Sequence, residues 1–161
     1  MTRGQTTGGR THVVDGIVAG AVGTLAIDAA TYLDMTVRAR PPSSTSQQSV
    51  AKLAEVTELD LGPEQQASNR RSGLGPLLGY GIGLTTSVAF ALLTKGRRVP
   101  LPVAAVLLGA AAMVAANTPL TALGVTNPRR WSRNDWLSDI GPHLAYGLAS
   151  AATWNRLSSR R

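Results

Sequence analysis

From Ser72 to Thr94 the chain reads SGLGPLLGYGIGLTTSVAFALLT, without one charged residue. As an α-helix this run rises about 34 Å, enough to cross a hydrocarbon layer of about 30 Å. Three more windows share its character. GIVAGAVGTLAIDAATYL, from Gly16 to Leu33, has Asp28 as its one charge, and residues 100–125 read PLPVAAVLLGAAAMVAANTPLTALGV. The fourth, Ile140 to Asn155, is shorter and bracketed by Trp136 and Trp154, side chains that favour the two headgroup layers.

Only 16% of residues are charged, and they collect between these windows. That segregation predicts an all-α integral membrane protein, a four-helix bundle with a long first loop containing a short amphipathic helix. Its expected spans are 13–35, 73–94, 100–122 and 138–156, with a loop over 36–72, in a single membrane domain over 13–157. A flexible tail (1–12) and a basic tail (158–161) flank that domain. A secretory signal peptide competes for the first window, with Arg3 and Arg10 as its basic region. Asp28 and the lack of a small-x-small cleavage site argue against it.

A net charge of +7 could serve nucleic acid, but the basic residues bracket apolar runs instead of interleaving with stacking aromatics. Nucleic acid is therefore excluded as a partner. The partners expected are the lipid bilayer and either a second copy or another membrane protein. Lysine and arginine divide evenly between the two sides. The compact KGRR at 95–98 tips the balance toward both termini being cytoplasmic. With no cysteine, only His12 and His143, and no HExxH, no metal and no cofactor are expected. GLGPLLGYGIG is not a phosphate loop, since no strand precedes it and no GK[ST] follows.

Within the long loop, SQQSVAKLAEVTELDL places Val50, Leu53, Ala54, Val56 and Leu59 mostly on one side of a helix of about 12 residues. Thr45 or Ser46 is its expected cap, and it should lie at the membrane surface or over the helix ends. In the second span Gly75, Gly79, Gly83 and Ser87 recur every four residues, as do Gly16, Gly20, Thr24 and Asp28 in the first. Such faces let membrane helices pack backbone to backbone. Pro119, after Asn117, predicts a kink or break near 117. Ser138 or Asp139 is expected to cap the last helix, with Pro142 in its first turn.

Four antiparallel spans would bring Asp28, Tyr80, Asn117 and His143 to one depth, roughly 6 to 9 Å inside the apolar layer. Two readings stand. The four are polar glue between helices, or Asp28 and His143 form a proton-accepting pair or binding site in a cavity open on the long-loop side. For His143 a third reading has it facing the headgroups. No catalytic residue is identified. The expected protein is a membrane protein of structural or accessory type without enzymatic activity. The alternative is a small transporter or proton-coupled channel using Asp28, His143 and Asn117.

The segments DWLSDIGPHLAYG, TYLDM, RARPPSS and NRRSGLGPLLGYGIG resemble those of small four-span membrane proteins of actinobacteria and, more distantly, of YagU-like bacterial inner-membrane proteins. The resemblance spans Gly16 to Ala152. It implies a multi-pass protein of the bacterial cytoplasmic membrane and supplies no reaction, cofactor or catalytic residue.

Overall fold

The computed structural model describes residues 3–159, with side chains from His12 onward. Among the described residues there are five α-helices and no strand: α1 (Arg3–Arg38), α2 (Thr45–Val56), α3 (Glu64–Thr94), α4 (Leu101–Ala122) and α5 (Arg133–Ser158). The basic tail expected at 158–161 lies partly outside them, as do Arg160 and Arg161. Helix α1 starts at Arg3, inside the segment expected as a tail. Helix α2 has the length anticipated, but Ser44 and not Thr45 or Ser46 is at its N-cap, and it ends at Val56, short of Leu59.

His12–Arg38, Glu64–Thr94 and Leu101–Ala122 are each long and apolar enough to cross a membrane. The glycine-rich α3 would be a poor helix in water. In an apolar layer every backbone N–H and C=O must find a partner within the segment, which favours helix regardless of propensity. The α3–α4 turn closes through Lys95 and Gly96, both at positive φ, and Pro100 and Pro102 then open α4.

Four antiparallel long helices form the bundle. Helix α1 packs on α3 and α5, α4 packs on α5, and α3 meets α4 more lightly. The α1–α3 register is set by glycine. A Cβ at Gly16 would lie 2.7 Å from Val88 Cα, and one at Gly20 would lie 3.0 Å from Leu84 Cα. The α4–α5 seam is equally close: a Cβ at Gly109 would lie 2.7 Å from the His143 carbonyl oxygen, and one at Gly147 would run into the Ala105 carbonyl. Helix α2 packs on α3, where Gly75 accommodates Ser46. Two apolar clusters fill the bundle away from the α2 end. Ala19, Ala91 and Trp154 form one, and Ala104, Ala105, Leu108, Ala112, Tyr146 and Ala151 the other.

Several expectations are corrected. The fourth window does not meet the standard of a spanning helix: three helices do, not four, and α5 is not among them. Its hydropathy is lowered by Asp135, Asp139, His143 and Asn155, and its inward face is Pro142, Tyr146, Gly147, Ser150, Ala151 and Trp154. Trp154 is not at a headgroup layer. It is 1% exposed and packs edge-on against Phe90. Only Trp136 is at a surface, in edge contact with Trp131.

Helix α5 begins at Arg133 and not near Ser138. Ser132 accepts from the Asp135 N–H while the Asp135 carboxylate accepts from the Ser132 N–H, so both orphan donors of the first turn are satisfied. That early start places Pro142 inside the helix. Helix α4 likewise continues through Pro119 to Ala122. A proline removes one helical hydrogen bond, and here the loss falls in the last turns, where few bonds depend on it.

Candidate functional site

At the α2 end the four long helices do not close on one another. A cavity of about 710 Å³ lies between α3 and α4, rimmed by α2 and the α4–α5 connector. A second, of about 290 Å³, lies deeper among all four helices. They share six lining residues, Thr31, Ser46, Gly75, Gly79, Ile82 and Ala116, and so form one vestibule.

The four polar residues singled out in the sequence all line it, in two separate groups. On one side the Tyr80 hydroxyl donates to Asp28 Oδ2 at 3.2 Å, joining α3 to α1. On the other, Asn117 Nδ2 donates to Asp139 Oδ2 at 2.7 Å, joining α4 to α5. His143 belongs to that second group. Its Nδ1 donates to the Asp139 carbonyl at 2.8 Å and lies 3.4 Å from Asp139 Oδ1. The His143 side chain is 12% exposed, so it is turned into the bundle. Asp28 and His143 face the same deep cavity, yet each has a different partner.

Asp139 was legible only as a cap, whereas its carboxylate is the centre of the α4–α5 group. Gly79 is also corrected. Nothing lies within 4 Å of where its Cβ would be, so it borders open volume and packs on no helix. The other small residues assigned to packing do make close contacts. Gly16 and Gly20 meet α3, Gly75 meets Ser46, Gly83 meets Thr24 and Tyr146, and Ser87 is 2% exposed.

The vestibule ends at Tyr146. Its hydroxyl donates to the Gly83 carbonyl at 2.5 Å and is 2.8 Å from Ser87 Oγ, tying α5 to α3 across the bundle. Beside it Thr24 is 9% exposed and bonded to the Gly20 carbonyl at 2.8 Å. The alanine and Trp154 clusters follow, and beyond them a separate, open cavity of about 490 Å³ lies at the far end between Arg98–Leu101 and the end of α5. At the mouth Asp34 is held by Arg38 at 3.3 Å and Arg40 at 2.5 Å, and Arg38 also donates to Ser138. These bonds fasten the end of α1 to the start of α5.

Comparisons with family models, with curated proteins and with solved structures gave no match.

Proposed function

We propose that the protein is a non-enzymatic, multi-pass protein of the bacterial cytoplasmic membrane that admits a small solute into this vestibule, in the manner of a small transporter. In this reading α5 crosses the membrane with the other three. What supports that crossing is its outer face. Leu137, Ile140, Leu144 and Leu148 are exposed there, while His143, Tyr146 and Ser150 turn inward. A helix that hides its polar side scores poorly on average hydropathy yet presents lipid with an apolar surface. Its 26 residues would rise about 39 Å. Four crossings place both termini on one side, which the KGRR cluster makes the cytoplasm, so the vestibule opens away from it. Reporter fusions check this: a fluorescent protein should be active, and alkaline phosphatase silent, at both ends. Opposite assignments at the two ends would remove α5 from the membrane.

The single observation carrying the solute reading is the volume itself. Polar glue between helices needs no void, and each such bond contributes about 0.6 to 1.7 kcal/mol whether or not a cavity adjoins it. Interiors are ordinarily close-packed, yet Gly79 and Ala116 border about 710 Å³ that larger side chains would have filled. That size falls within the roughly 300 to 1,000 Å³ of ligand pockets.

A thermal-shift screen of small solutes in detergent tests the proposal. A solute at 100 times its Kd should stabilise the native chain by about 2.7 kcal/mol. Gly79→Leu, which fills the vestibule, should lose that response. A screen in which no solute discriminates the two forms would leave the structural or accessory role as the better reading.

A further inference from the structure

We infer that the solute is a small organic cation, held in the deep part of the vestibule by the Asp28 carboxylate beside Tyr80. This rests on the solute-binding reading and names its substrate class.

The charges around the vestibule are mostly cancelled where they stand. Arg38 and Arg40 are both bound to Asp34 at the mouth. Asp139 accepts from Asn117 and lies beside His143. Asp28 is different. Among the described residues it forms no ion pair, and its hydrogen bond comes from the neutral Tyr80 hydroxyl, at a long 3.2 Å. A carboxylate on the wall of a cavity between apolar helices lacks a counter-charge that a bound cation would supply.

The walls point the same way. The chain has three Tyr, three Trp and one Phe, and all three tyrosines, Tyr32, Tyr80 and Tyr146, line the deep cavity that holds Asp28. Of the three, Tyr80 touches the carboxylate itself, while Tyr32 and Tyr146 border the same cavity. Aromatic rings attract cations through their negative faces, and the effect grows as water is excluded. Ile27, Ile82 and Ala112 line the same cavity and suit alkyl substituents on the charged centre. An anion would meet the carboxylate with no uncommitted guanidinium nearby. A neutral solute would leave Asp28 uncompensated.

The deep cavity, about 290 Å³, is sized for an alkylammonium ion. A matched set of three probes of one shape tests the charge preference: choline, 3,3-dimethylbutan-1-ol and 3,3-dimethylbutanoate. They would be titrated calorimetrically into the full chain in a nonionic detergent, since choline-headed lipids would compete. Choline is expected to bind at least about tenfold more tightly than the alcohol, with no detectable binding of the anion. Asp28→Asn keeps an acceptor for Tyr80 and so preserves the fold, and it should bring choline down to the affinity of the alcohol. Tyr80→Phe should retain the preference, and Tyr80→Leu should weaken choline binding several-fold.

Equal binding of choline and the alcohol to the native chain, or tighter binding of the anion, would overturn the cation assignment and leave the solute site standing. The same holds if none of the three binds while a water-soluble thiol reagent still reaches an Ala116→Cys variant. If none binds and the reagent cannot enter, the solute reading fails with it.

Discussion

Replacing Gly147 with leucine is expected to disassemble the bundle, whereas the same replacement at Gly79 is expected to leave it as stable as the native chain or slightly more so. Both are helical glycines in apolar segments, and their surroundings are opposite. A Cβ at Gly147 would run into the Ala105 carbonyl and lie 2.7 Å from the Gly109 nitrogen, both backbone atoms of α4. Backbone cannot swing aside as a side chain can, so α4 and α5 would have to separate. Their separation would break the Asn117–Asp139 bond and open the cluster of Ala104, Ala105, Leu108 and Ala151. Overpacking at such a seam costs about 3 kcal/mol or more. At Gly79 the Cβ meets nothing within 4 Å. Leaving glycine inside a helix recovers up to about 1 kcal/mol of propensity. Thermal melting followed by circular dichroism in detergent separates the two. A Gly147→Leu variant that melts with the native chain would mean that the α4–α5 seam is looser than described.

The contrast also marks where the sequence was readable. A four-residue repeat says which residues share a helix face, so Gly16, Gly20, Gly83 and Ser87 could be placed on the faces that meet. It does not say whether a partner stands opposite, and Gly79 continues the same repeat into open volume. Gly109 and Gly147 belong to no repeat, so the α4–α5 seam had no periodic signal. The α2 helix was legible because its apolar spacing and its flanking prolines are local features.

Helix α5 was harder to read for a different reason. Hydropathy is an average over a window, and α5 is polar on the side that other helices cover. Its capping box, Ser132 with Asp135, lies upstream of the apolar run and so moved the helix start by about a turn and a half. Trp154 looked like a boundary residue because it ends an apolar run, but the chain folds so that Phe90 and Ala19 cover it. Among the polar residues, their place toward one end of the bundle was readable from helix length while their pairing was not. Asp28, Tyr80, Asn117 and His143 do border one vestibule, yet Asp28 pairs with Tyr80 while Asn117 and His143 meet through Asp139, whose place four residues before His143 resembled a helix cap.

Directional thiol labelling bears on the central claim, a vestibule open at the α2 end and sealed at Tyr146. The chain contains no cysteine, so each single-cysteine variant reports alone. Ala116 lines both parts of the vestibule, whereas Ala105 is 7% exposed within the sealed half. The effect is all or none, because a charged, membrane-impermeant methanethiosulfonate cannot pass the bonded Tyr146, Gly83 and Ser87. Ala116→Cys should react when the reagent is added on the α2 side and stay unmodified when it is added on the other, with Ala105→Cys unreactive from both. Reaction of Ala116→Cys from both sides, or from neither, would contradict the one-sided vestibule.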